Sequence, residues 1–161
     1  MGYEFRVNAR MGKPVAEVFD AVVNPKKLSG YFVTTGGGAN APLVKGTTVL
    51  WWGDIEVAVD EVVKDTRIVF RWDANAAKDE APYKTKVEMG FEPLDDGGTM
   101  VTISEGAWHA NENGLKSSYL NCEGWTQMLC CMKAFLEHGI NLREGHYRSE
   151  MRGEPARPDN I

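Results

Sequence analysis

Between residues 47 and 108 the chain keeps returning to short runs in which apolar and polar side chains alternate. Beyond residue 117 it changes to an apolar stripe of helical period. Alternation at period two gives a strand one covered face and one wet face, and a sheet built from such strands needs something to lie against the covered one. A long amphipathic helix at the end of the chain fills that need. The pattern predicts an α+β domain, an antiparallel meander closed by one C-terminal helix.

The strands read as residues 3–11, 47–52, 55–63, 66–73, 83–91 and 99–108. The first alternates most cleanly: Tyr3, Phe5, Val7, Ala9 and Met11 against Glu4, Arg6, Asn8 and Arg10. Gly53-Asp54 suits a two-residue hairpin link, because Gly accepts positive φ. Trp51 and Trp52 are adjacent, so strict alternation lets only one point inward. Two short helices follow the first strand, at residues 14–23, with Pro14 in the first turn, and at 25–32 after the stop at Asn24-Pro25. The long helix reads as residues 117–138, closed by Gly139 in a left-handed C′ position. On a helical wheel centred near Trp125, the side chains of Leu136, Leu129, Cys122, Met132, Met128 and Phe135 share a stripe about 140° wide.

The 161 residues are 43% hydrophobic and 25% charged, which fits one globular domain over residues 1–147 with a mobile charged tail at 148–161. The first few residues after 140 are expected to dock. A net charge of −5 without a cationic cluster argues against nucleic acid. The longest apolar run, residues 128–132, is far too short for a membrane span, and the first residues lack an apolar signal core, so a cytoplasmic location is expected. Cys122, Cys130 and Cys131 are odd in number and clustered, a poor disulfide framework that suits a reducing compartment. No C-x-x-C pair or convergent ligand set appears, so neither a metal nor another cofactor is expected. Gly36-Gly37-Gly38 lacks the flanking strand and the Lys-Ser/Thr of a phosphate loop and reads as a turn.

Three stretches carry a family resemblance. Asn24-Pro25-Lys26-Lys27-Leu28-Ser29-Gly30-Tyr31-Phe32 resembles the "DP..L..WF" segment of bacterial proteins related to the activator of heat-shock protein 90 ATPase, with Tyr31 where that family has Trp. Glu123-Gly124-Trp125-Thr126-Gln127-Met128-Leu129, continuing through Lys133-Ala134-Phe135-Leu136-Glu137, resembles its "EGW...L..L..YLE" helix, and residues 57–72 resemble its "G.V.E..P..RLVFTW" passage. The resemblance spans residues 3–138 and does not include the additional chaperone-binding domain of the eukaryotic activators, so ATPase stimulation does not simply transfer. It implies the helix-grip fold of START-like and Bet v 1-like domains (the SRPBCC superfamily), a curved sheet around a long helix with an apolar cavity between them.

Within that expectation, Phe32, Trp52, Phe70, Trp72, Met89, Phe91, Trp108, Trp125, Met128 and Met132 supply apolar walls of rigid rings and adaptable thioethers. Glu105 continues the inward alternation of Val101 and Ile103, where an unpaired carboxylate is costly and its pKa rises. It is the candidate polar anchor for a ligand. The competing reading is that a bulge at Gly106 turns Glu105 to solvent. His109 stands close enough in sequence to form an acid/base pair with Glu105 at the cavity mouth. Asp60, Glu61, Asp79 and Glu80 read as solvated.

Three functions fit these residues. The leading one is non-catalytic binding of a small hydrophobic or lipid-like molecule. The others are an interaction module for a heat-shock protein 90 type chaperone and a polyketide cyclase or dehydratase-like enzyme. The small-residue back face of the long helix, around Cys130 and Ala134, leaves room for a second copy, so a homodimer belongs among the partners considered.

Overall fold

Alternation at period two produces a sheet, as expected. In the computed structural model, which describes residues 2–146, six strands form one curved antiparallel sheet: β1 (Tyr3–Met11), β2 (Thr48–Trp51), β3 (Ile55–Val63), β4 (Arg67–Asp73), β5 (Lys84–Pro93) and β6 (Thr99–Trp108). The proposed tail at 148–161 lies outside the described residues. The order β1-β6-β5-β4-β3-β2 is a meander with β1 added beside the last strand. Strands β1 and β2, consecutive in sequence, therefore occupy opposite edges, and the segment joining them must cross the sheet. It carries α1 (Val15–Val23) and α2 (Pro25–Leu28).

Local chemistry explains where these helices stop. Pro14 is the N-cap of α1 and not its first helical residue. Asn24 caps α2, its side-chain oxygen accepting from the backbone N–H of Lys26 at 3.1 Å and of Lys27 at 3.4 Å. The helix expected to reach residue 32 ends at Leu28. The Ser29 hydroxyl donates to the Pro25 carbonyl at 2.6 Å, and the N–H groups of Phe32 and Val33 both return to the Leu28 carbonyl, winding the chain into turns.

The long helix, α3, runs Glu112–His138 and so begins before the expected residue 117. Asn111 sets that start by accepting from the Gly114 N–H at 2.7 Å, a cap that outweighs the low helix propensity of Asn113 and Gly114. Its end is as expected, with Gly139 at φ 66°. At about 1.5 Å per residue the helix is roughly 40 Å long, and it packs on β1 and β6. No helix among the described residues is long and apolar enough to cross a membrane.

One strand end departs from strict alternation. β2 stops at Trp51, pairs Trp51 with Ile55, and turns through Trp52, Gly53 and Asp54, a loop of different length from the expected two-residue link. Trp52 sits at φ 52°, which swings its indole back to the side that Trp51 already faces. Both are buried, at 0% and 2% exposure, correcting the expectation that only one points inward.

Candidate functional site

Glu105 lies on the covered face of β6, opposite Phe5 of β1 and Val87 of β5, and is 1% exposed. The inward reading is the one that holds. An irregularity does occur, between the Tyr3–Trp108 and Phe5–Glu105 pairs, with Ala107 at φ 75°, but it falls after Glu105 and leaves its direction intact. Burial of a carboxylate demands partners, and four residues supply them. One oxygen accepts from Trp72 Nε1 at 2.6 Å, Thr85 Oγ1 at 2.7 Å and Asn121 Nδ2 at 3.0 Å. The other accepts from Asn121 Nδ2 at 3.1 Å and Trp125 Nε1 at 2.8 Å.

The group thus joins β4, β5, β6 and α3 at one point. Burial pushes its pKa above the usual carboxylate range, against the four hydrogen-bonding residues, which pull it down. Because these donors are all protein groups, Glu105 has little lone-pair capacity left for a substrate proton.

Around this carboxylate the aromatic side chains form one contiguous cluster. Trp72 stacks on Trp125 at 5.3 Å between ring centroids, and Phe70 meets Trp72 edge to face at 5.5 Å. Trp51 contacts Phe70 and Trp72 at 5.3 and 6.1 Å. Phe32 joins the far side, 5.1 Å from Trp52, 5.4 Å from Trp125 and 6.0 Å from Trp51. These spacings are those of rings in direct contact, so the wall residues pack against one another. Met89, Met128 and Met132 are fully buried in the same core.

Two expected wall residues stand elsewhere. Phe91 packs edge to face on Phe19 of α1 at 5.3 Å, and Trp108 stacks on Phe5 at 5.7 Å, outside the main core cluster.

Several polar atoms of the interior are buried. Trp51 Nε1, Trp52 Nε1, and the hydroxyls of Thr34 and Thr35 have no hydrogen-bond partner. Arg143, from the turn after α3, is 1% exposed, and its guanidinium carbon lies 4.8 Å from the Phe32 ring centroid. It also hydrogen-bonds Cys131, whose thiol pKa is nonetheless raised by burial. Cys122, Cys130 and Cys131 are all free thiols.

The opposite end of the sheet holds His109, and here the expected acid/base pair does not form. Glu105 is committed to its four donors, while His109 Nδ1 pairs with Glu80 and the imidazole stacks on Tyr83 at 3.7 Å. Glu80 also accepts from Asn111 Nδ2 at 3.1 Å, so it ties the β4–β5 loop to the start of α3 and is not the solvated residue expected. Those bonds hold its carboxyl below the usual range, with the His109 bond the largest cause. Asp60 and Glu61 are likewise engaged on the sheet surface, with Arg71 and Arg67. An open depression of about 550 Å³ beside Glu80 is lined by Ala77, Asp79, Asn111, Glu112, Asn113 and Lys116. Among the described residues no cluster of His, Cys, Asp and Glu is arranged to hold a metal.

The residues that sequence reasoning missed are Trp51, Thr85, Asn121 and Arg143. Asn121 had a readable signal: on the Trp125-centred wheel it falls at about 320°, between Met132 and Met128, a polar side chain inside the apolar stripe. Thr85 had a weaker one, as it shares the inward parity of Val87 and Met89 on β5. Nothing local to its sequence marks Arg143 for burial.

Comparison with known proteins places this geometry. A search of curated proteins finds no sequence match. Among solved structures, SSP2350 from Staphylococcus saprophyticus superimposes with a TM-score of 0.71 at 24% identity, covering 88% of this chain and 96% of that one. An HSP90 activator from Plasmodium falciparum gives 0.65 at 19% identity, over 86% and 97% of the two chains. The Aha1 dimer from Colwellia psychrerythraea gives 0.67 at 14% identity, over 86% and 99%. At such identities the likeness establishes the helix-grip fold. The sequence itself matches the family described as Activator of Hsp90 ATPase homolog 1-like protein over residues 13–137. The chain belongs to that family.

Proposed function

We propose that this domain is a non-catalytic receptor for a small hydrophobic molecule, bound among the rings between α3 and the sheet. The observation that carries the reading is the mismatch inside the aromatic cluster. Glu105 has a full set of partners, yet the Trp51 and Trp52 indole N–H groups are buried with none. A core that served packing alone would place apolar groups there, since each unmet buried donor costs about 1–3 kcal/mol. A few polar groups set in an aromatic wall are what orients a ligand bound there.

The test is thermal unfolding of the full chain with neutral probes, 2-naphthalenemethanol and decanol. A ligand at about 100 times its Kd stabilises the folded state by roughly 2.7 kcal/mol, so a saturating probe raises the melting temperature measurably. No shift with either probe up to its solubility limit contradicts the reading.

A second reading rests on the family itself and on the structural neighbour described as an HSP90 activator. It makes the domain a contact module for such a chaperone. Here an exposed surface replaces the interior as the working part. Sedimentation of the chain with a heat-shock protein 90 type chaperone tests it: co-migration at micromolar concentration supports this reading, and independent migration removes it.

A further inference from the structure

The sheet ends on two edge strands, and the chain treats them differently. At β2 the outer backbone is occupied: the Asn40 N–H donates to the Leu50 carbonyl at 3.0 Å, and the Leu50 N–H donates to the Asn40 side-chain oxygen at 2.8 Å. β1 is longer, nine residues against four, and among the described residues its ladder partner is β6 on one side. Beyond that ladder Lys133 Nζ donates to the Arg10 carbonyl at 3.0 Å. We propose that β1 is the contact surface for a second copy of this chain, which adds its own β1 antiparallel about a twofold axis at Val7 and joins the two sheets into one.

An unpaired edge is a row of free donors and acceptors, and monomeric proteins blunt it with a proline, a bulge or an inward-pointing charge. Between Phe5 and Met11 β1 has none of these. It pairs residue for residue with β6, contains no proline, and turns Phe5, Val7, Ala9 and Met11 inward. Phe5, Val7 and Ala9 are half-buried, whereas Ile103 and Val101, opposite Val7 and Ala9 on β6, are at 0% exposure. The apolar face of the sheet thus continues to its edge and is left partly open there.

The order of side chains along β1 selects a reversed copy of itself. With the axis at Val7 the full length of both strands overlaps. On the wet face Glu4 then meets the partner's Arg10, and Arg6 meets the partner's Asn8, each pair occurring twice. On the covered face Phe5 meets the partner's Ala9, a large ring against a small side chain, and Val7 meets the partner's Val7. Opposite charges are matched and no like charges face each other. Neighbouring registers lack this property. Moving the axis to Arg6 opposes that residue to itself, and moving it to Asn8 sets Arg6 against the partner's Arg10. A slip by one residue brings wet side chains opposite covered ones. Arg10 is already placed for the contact. Its Nε and Nη2 bond one oxygen of Asp96 at 3.1 and 2.7 Å, which steadies the guanidinium on the wet face and leaves Nη1 for the partner's Glu4.

Sedimentation equilibrium of the full chain tests the proposal. Wild type is expected to show twice the chain mass of 17.9 kDa at micromolar concentration and above. Glu4→Arg and Arg10→Glu each set like charges opposite one another at two places, and each is expected to weaken self-association roughly tenfold or more. Mixing the two variants restores both charge pairs, so the mixture is expected to dimerise where neither variant does alone. Within one chain Glu4 and Arg10 are about 20 Å apart, six residues along a strand, so this recovery reports a contact between copies. A wild type that stays at single-chain mass up to its solubility limit overturns the proposal. So does a dimer that neither substitution weakens, or a mixture that does not recover. Hydrogen exchange on wild type covers the case in which a variant does not fold: the β1 amides are expected to gain protection as concentration rises, while those of β2 do not. Protection gained on the outer face of α3 around Cys130, with β1 unchanged, also overturns it.

Discussion

Replacing Glu105 with Gln changes almost nothing in shape and removes one of the two acceptor oxygens from the centre of the fold. With the Gln carbonyl in the seat of the more heavily bonded oxygen, Trp72 at 2.6 Å and Thr85 at 2.7 Å keep their acceptor. The new NH2 then faces Asn121 and the Trp125 indole N–H, which now hold their bonds at 3.1 and 2.8 Å. Asn121 adapts by turning its amide to accept, but an indole N–H only donates. One buried donor is orphaned, at about 1–3 kcal/mol. Glu105→Ala is harsher. Trp72, Trp125 and Asn121 all lose their acceptor, and three such groups cost about 3–9 kcal/mol, comparable with the whole stability of a typical domain at about 5–15 kcal/mol.

Urea unfolding followed by circular dichroism at pH 7 measures both variants. The expected order is wild type, then Gln, then Ala. Glu105→Gln matching or exceeding wild type refutes the reasoning, for it means that the second acceptor oxygen is not needed by Trp125 and Asn121. The pH dependence gives a second check. Because burial raises the folded-state pKa above the unfolded one, the folded chain holds more protons between the two values, and stability falls as pH rises through that window. The Gln variant lacks this loss, so the stability gap between it and wild type is expected to be smaller at pH 8 than at pH 5. A gap that widens with pH contradicts the assignment.

Two further outcomes follow from particular contacts. Gly36 sits at φ +62°, and a Cβ there would stand 2.2 Å from the Trp52 carbonyl oxygen. Gly36→Ala is therefore expected to lower stability by at least about 1–3 kcal/mol, read as a lower urea midpoint at unchanged slope. No change would show that the glycine turn does not pack on Trp52. At the other end of the sheet, the His109 bond holds the Glu80 carboxyl below its ordinary range, so its stabilising effect is present above the unfolded-state pKa and lost as pH falls through the folded value. A carbon-detected NMR titration of Glu80 is expected to give a midpoint that rises in His109→Ala; an unmoved midpoint contradicts the pairing.

The architecture was legible because periodicity is a local property that the sheet and helix preserve. Tyr3 to Met11 alternate in the sequence and in burial alike, and Gly139 closes α3 where its left-handed preference indicated. Boundaries governed by a single side chain were harder to read. Asn111 starts α3 early, and Ser29 helps end α2 at Leu28. The inward direction of Glu105 followed from parity, but its partners come from three other elements, and only Asn121 left a trace on the helical wheel. Trp51 and Trp52 defeated parity because one residue at φ 52° reverses a side chain's face. Arg143 is buried by tertiary contact with Phe32 and Cys131, neither of them near it in sequence.

The most direct test of the receptor reading uses the indole N–H resonances, since the tryptophans differ in what they bond. Trp72 and Trp125 donate to Glu105, whereas Trp51 and Trp52 have no acceptor. On titration of the isotopically labelled chain with neutral 2-naphthalenemethanol, the Trp51 and Trp52 Nε1–H signals are expected to move to saturation while those of Trp72 and Trp125 stay close to their starting positions. Signals that remain fixed for all four would contradict a ligand site within the ring cluster.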